Sequence, residues 1–139
     1  MSYEEKGAWV YLVASVGTLA TYLAIILGRT RHTPVTEVAY VSTMLWTIGI
    51  SVTLSIVGRV AVEIARPSDN HKSDVRDKDI NRFGEYVGGV VLAIGMLVPF
   101  GLTLASSEHF WIAHAMFAAF YLSALVSTPI KLVAYRRGL

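Results

Sequence analysis

Residues 7–28 read GAWVYLVASVGTLATYLAIILG, twenty-two positions without a charge between Lys6 and Arg29. A helix rises about 1.5 Å per residue, so roughly 20 apolar residues cross a hydrocarbon core about 30 Å thick. The pattern recurs at residues 38–58, between Glu37 and Arg59, and at residues 86–107, between Glu85 and Glu108. It recurs once more at residues 109–130, between Glu108 and Lys131. Four stretches meet the spanning length independently. A buried helix of a soluble protein would be shorter and amphipathic.

Composition agrees. The chain is 54% hydrophobic and 16% charged, with a mean hydropathy of +0.53. Soluble domains carry about 25% charged residues because water demands a polar shell. At 139 residues this is one domain, 1–139. The expected fold is therefore all-α: a polytopic four-transmembrane-helix bundle, with spans at about 8–28, 36–65, 74–105 and 109–133. The chain has no cysteine, which excludes thiolate catalysis, disulfide exchange and iron–sulfur ligation. The leader before the first span holds Glu4 and Glu5 beside Lys6, and the apolar run exceeds a secretory signal core. It reads as a retained span.

Lysine and arginine placement sets the expected orientation. With four spans, the two termini and the connection between spans two and three share one side. That side carries Lys6, Arg59, Arg66, Lys72, Arg76, Lys78, Arg82, Lys131, Arg136 and Arg137, against only Arg29 and Arg31 opposite. Both ends are expected in the cytoplasm. Asp74 is the expected N-cap of a third helix that begins before the membrane, with Asp77 and Asp79 at the positive end of its dipole. Pro67-Ser68-Asp69-Asn70 is the expected turn ahead of it. Pro34 is the expected start of helix two, and Pro99 the expected kink in helix three.

The densest polar stretch yields the candidate site. Asp77, Asn81 and Glu85 fall at i, i+4 and i+8, with Lys78 and Arg82 beside them. At the end of helix two, Arg59, Glu63 and Arg66 fall at i, i+4 and i+7. If helices two and three form a hairpin extending into the cytoplasm, Arg59, Glu63, Arg82 and Glu85 would pair across it. Such pairing would lock the helices at the membrane border or form a contact surface. Helix-packing candidates are the small residues Ser51, Ser55 and Gly58 on helix two and Gly84 and Gly88 on helix three, with Gly95 continuing that side. They predict contact within one bundle or, alternatively, a homodimer seam.

Other constellations point less far. His32, Glu37, Glu108 and His109 lie in outer connections, without metal-motif spacing. Only His114 lies inside a span. The hydroxyls Ser15, Thr18, Thr21, Thr43, Thr47, Ser51 and Ser55 could line a polar path. Such groups more often bond the carbonyl four residues back. No spanning stretch carries a carboxylate of the kind proton-coupled carriers use. No nucleophile–base pair, phosphate loop or cofactor motif is present in the sequence, and nothing in it suggests nucleic acid.

The stretch RDKDINRFGEYVG (residues 76–88) resembles the pattern RD-x-acid-I-x-R-x-GEY-x-G of small bacterial, chiefly actinobacterial, membrane proteins of unknown function. The opening MSYEEKGAWVYLV and the closing KLVAYRRG are similar to theirs as well. The resemblance implies four spans in a bacterial plasma membrane and brings no catalytic residues. The sequence thus predicts a non-enzymatic membrane protein, accessory or regulatory, using the helix-two/helix-three hairpin. The alternative is a small homodimeric transporter or channel built on the Ser51/Ser55 face.

Overall fold

A computed structural model describes residues 1–69 and 71–138. Its helices are α1 (Tyr3–Thr30), α2 (Val41–Ala65), α3 (Val75–Gly95), α4 (Leu97–Leu104) and α5 (His109–Arg137), with one 3-10 turn at Val35–Glu37. The described residues are otherwise turns and loops. Four helical stretches, Tyr3–Thr30, Val41–Ala65, Val75–Leu104 and His109–Arg137, are long and apolar enough to cross a membrane. Large side chains such as Leu45, Trp46, Ile64, Leu97 and Leu104 are more than half exposed. A surface this apolar has lipid as its natural solvent.

The ends of the helices follow local chemistry more closely than hydropathy. α1 starts at Tyr3 because the Ser2 hydroxyl accepts from Glu5 N at 3.1 Å, with Glu4 and Glu5 in the first turn. α2 begins five residues later than the expected Thr36. Pro34 opens the short 3-10 turn instead, and Val38 follows in extended conformation. Val38 is buried among Tyr22, Ile26, Phe110 and Phe117. The Arg29 guanidinium fixes this crossing by donating to Ala39 O at 2.6 Å and Thr43 Oγ1 at 2.8 Å.

Asp74 caps α3 as expected, in a full capping box with Asp77: Asp77 N donates to Asp74 Oδ1 at 2.7 Å, and Asp74 N to Asp77 Oδ2 at 3.4 Å. Asn70, the last residue of the expected turn, lies outside the described residues. The third span is interrupted where the proline requires it. Pro99 has no N–H for the carbonyl of Gly95, and the helix breaks at Met96 before resuming as α4. By contrast, α5 runs through Pro129 to Arg137, where the fourth span was expected to close near 133. Gly138 ends it with φ 72°, the left-handed cap that suits glycine.

The order of packing departs from a closed bundle. α3 lies along α5, α5 along α1, and α1 along α2. α4 folds onto α5. Among the described residues, α2 makes extended contact with α1 alone. Among the described residues helices two and three therefore make no extended contact of the kind expected, because each has given its close-approach face to another neighbour. A methyl group at Gly58 would come within 2.7 Å of Val10 Cγ1, one at Gly88 within 2.9 Å of Ser127 Cβ, and one at Gly95 within 3.0 Å of Ala119 Cβ. Gly84 lies beneath the aliphatic stem of Lys131. Gly84, Gly88 and Gly95 of α3 are thus used against α5 within one chain.

Candidate functional site at the charged end

The start of α1, the end of α2, the start of α3 and the end of α5 meet at one end of the molecule through polar contacts. Lys6 is the centre of the α1/α2 half. Its side chain is 10% exposed, and its Nζ donates to Glu63 Oε2 at 3.3 Å, to Ser68 Oγ at 2.8 Å and to the carbonyl of Arg66. An ammonium has three protons, and all three are used. Glu63 also accepts from Ser68 N at 2.6 Å and Ser68 Oγ at 3.0 Å, and its Oε1 lies 2.8 Å from His71 Nε2. One carboxylate therefore fastens the chain after Pro67 to the first turn of the protein.

Arg59 forms the neighbouring contact. Its Nη2 lies 3.2 Å from Glu4 Oε1, and its guanidinium carbon sits 4.1 Å from the centre of the Tyr3 ring. Its Nε is buried without a hydrogen-bond partner. On the α3/α5 half, Lys131 pairs with Glu85. Arg76 donates to Tyr135 O at 3.0 Å, and the Arg136 guanidinium lies 5.3 Å from the Trp9 ring.

The candidate residues are thus gathered at one end but not into one network. Arg59 pairs with Glu4, Glu63 with Lys6 and Glu85 with Lys131, each across to the adjacent helix and none to another of the four. Arg82 is exposed and makes no ion pair among the described residues. Arg66 contributes its carbonyl, and Asp77, 9% exposed, completes the capping box of α3 with Asp74. Lys6, Glu4 and Lys131 are the partners that spacing within helices two and three could not reveal, since they lie on helices one and five.

Beside these contacts lies a cleft of about 600 Å³ lined by all four long helices. Glu4, Arg59, Asn81, Glu85, Thr128 and Lys131 contribute its polar wall. It adjoins an apolar groove of about 640 Å³ between α2 and α5, floored by Tyr11 and Ser15 of α1. The two share Tyr11, Ser55, Ile56, Phe120 and Ala124. Ser51 and Ser55 therefore face this groove and not a packed helix. Their hydroxyl chemistry is mostly internal: Ser55 donates to Ser51 O at 2.7 Å, Thr47 to Thr43 O at 2.8 Å and Thr18 to Ala14 O at 2.7 Å.

At the opposite end, His114 joins Tyr22, with Nε2 2.6 Å from the phenol oxygen and Nδ1 2.8 Å from Phe110 O. Among the described residues no three His, Asp or Glu side chains gather in a metal-binding group, and His32, Glu37, Glu108 and His109 form none. The charges of this chain serve to fasten helix ends and to edge a cleft. No protein-family model, no curated protein and no solved structure matches this chain.

Proposed function

We propose that this is a non-enzymatic, multi-pass protein of a bacterial plasma membrane, with both termini in the cytoplasm, that acts as an accessory or regulatory partner of another membrane protein. The observation that carries this reading is the outer face of α3. Lys78, Asp79 and Arg82 are exposed there with no ion partner among the described residues, while the other charges nearby are engaged. Phe83 is 57% and Tyr86 70% exposed beside them. Arginine and aromatic side chains at the edge of an apolar surface are the residue types that anchor protein interfaces. The ten-to-two distribution of basic residues supports the cytoplasmic placement of this face. The resemblance carried by RDKDINRFGEYVG supports a bacterial plasma membrane.

The test is a photo-crosslinking residue at Tyr86 in native membranes, with and without Arg82→Glu. A discrete crosslinked partner that is lost on charge reversal is expected; a pattern indifferent to Arg82 would overturn the reading. Orientation is tested separately, because a cysteine-free chain permits single-cysteine labelling. Ser2→Cys should react with an impermeant reagent only after the membrane is opened, and Ser107→Cys before. The reverse pattern would refute it.

A homodimeric transporter or channel is the second reading, favoured by the polar cleft. It requires polar lining to continue through the membrane, whereas the adjoining groove is walled by Met44, Ile48, Val52, Met116 and Phe117. Solute flux in reconstituted vesicles would revive it.

A further inference from the structure

We propose that the polar cleft and the apolar groove together bind one molecule of a zwitterionic phospholipid, with a phosphoethanolamine headgroup at the charged end and an acyl chain lying between α2 and α5. This goes beyond the partner-binding reading and does not rest on it, since the groove and the outer face of α3 are different surfaces.

The open side of the groove follows from the packing order. α2 leans on α1 alone, so the trough bounded by α1, α2 and α5 is covered by no other part of the chain described. Its length suits an extended hydrocarbon chain. From Ile56 to Met44 along α2 is twelve residues, about 18 Å of helix, against about 15 Å for one leaflet of hydrocarbon. The wall changes character between the cleft and the groove. It is charged and hydroxylated at Arg59, Asn81, Thr128 and Lys131, and aliphatic or aromatic from Ile56 and Phe120 onward.

The mouth has a donor with no acceptor. Arg59 Nε is buried without a partner. Thr128 is 3% and Ser127 9% exposed, and both line the cleft beside it. Asn81 lines the same wall. A buried donor left unpaired is costly, and phosphate oxygens are the strongest acceptors a membrane offers. The charge balance narrows the headgroup further. Arg59 and Lys131 are matched in the cleft by Glu4 and Glu85, two cations against two carboxylates. A purely anionic headgroup would meet the carboxylates as well as the cations. A phosphate with a primary ammonium satisfies both. Glu85, with a side chain 76% exposed, is the carboxylate free to turn from Lys131 toward that ammonium.

A second copy or a partner helix is the competing occupant of the trough. An α-helix is about 10–12 Å across and has its backbone carbonyls already bonded, so it could meet Arg59 Nε only with a side-chain acceptor placed at that point. A lipid phosphate meets it directly.

Native mass spectrometry of the full chain, released from micelles containing equal phosphatidylethanolamine and phosphatidylglycerol, tests the assignment. One bound phosphatidylethanolamine per chain is expected, favoured at least fivefold over phosphatidylglycerol. The double substitution Arg59→Gln with Lys131→Gln should cut retained lipid at least tenfold. Should that pair fail to fold, Ser51→Phe fills the apolar groove without touching the charges and should also abolish retention. Val57→Phe, which lines neither cavity, should retain lipid as the parent does. Preference for phosphatidylglycerol, retention indifferent to Ser51→Phe, a lipid-free dimer or no bound lipid would each overturn the proposal.

Discussion

Lys6 and Glu63 lie 57 residues apart in sequence and 3.3 Å apart in space, and their contact closes a polar knot that joins the first turn of α1 to the last turn of α2. Near the membrane border an ion pair survives when each partner's remaining hydrogen-bonding groups are met, because desolvation is otherwise uncompensated. Here the condition holds on both sides: the ammonium finds three acceptors, and the carboxylate takes donors from Lys6, Ser68 and His71. The Lys131–Glu85 pair differs, since Glu85 keeps a side chain 76% exposed. Water competes for that contact, and it holds the helices less tightly.

The two pairs should therefore respond differently to removal of one charge. Lys6→Met deprives Glu63 of its ion partner and frees the carbonyl of Arg66. Amide exchange across residues 63–69 is expected to accelerate at least about tenfold, as local opening becomes easier. Glu85→Gln should leave exchange in α3 and α5 within about a factor of two, in keeping with an exposed pair. Exchange measured by mass spectrometry on the full chain in micelles decides between these outcomes. Equal responses would mean that burial does not separate the two contacts.

A second prediction concerns adjacent glycines on α3. Gly88 faces Ser127 and Ser123 of α5, where an added methyl group would lie 2.9 Å from Ser127 Cβ, while Gly89 has nothing within 4 Å. Ser123 Oγ also donates to Gly88 O at 2.8 Å, so the close approach carries a hydrogen bond. Gly88→Ala is expected to weaken folding by about 1–3 kcal/mol, because a well-packed contact has no room for another carbon. Gly89→Ala should be neutral or stabilising by up to about 1 kcal/mol, from helix propensity alone. Reversible unfolding in mixed micelles measures both, and a destabilised Gly89→Ala would refute the assignment of faces.

The spans were legible in the sequence because a charge inside hydrocarbon is costly, and its absence over 7–28, 38–58, 86–107 and 109–130 leaves one solution. The Asp74 cap and the break ahead of Pro99 were legible for equally local reasons, an acceptor for free N–H groups and a missing donor. The start of α2 was not, because burial of Val38 holds the chain extended where hydropathy alone would continue a helix. Nor was the packing order. Gly58 and Gly84 announce that a neighbour comes close without saying which one, and the neighbours are α1 and α5. For the same reason Arg59, Glu63 and Glu85 were found, while their partners Glu4, Lys6 and Lys131 were not. The available signal was the presence of opposite charges at the ends of all four spans, which sequence spacing cannot resolve into pairs.

His114 lies inside α5, more than a turn beyond its first residue His109. Tyr22 is 1% exposed, and its hydroxyl lies 2.6 Å from His114 Nε2. A carbonyl can only accept, so His114 Nδ1, 2.8 Å from Phe110 O, must carry the proton. Nε2 is then the acceptor, and Tyr22 the donor that completes the chain from phenol to imidazole to backbone. Tyr22→Phe keeps the ring, which packs against Phe117 with centroids 4.7 Å apart, and removes only the donor. Hydrogen bonds between membrane helices are worth about 0.6–1.7 kcal/mol, so a loss of that size is expected. Tyr22→Phe combined with His114→Leu should cost less than the sum of the single changes, by at least about 0.5 kcal/mol, because residues in one hydrogen-bonded unit are not independent. Strict additivity in a double-mutant cycle would show that the two side chains share a neighbourhood but no bond, and that α1 is held to α5 there by ring packing alone.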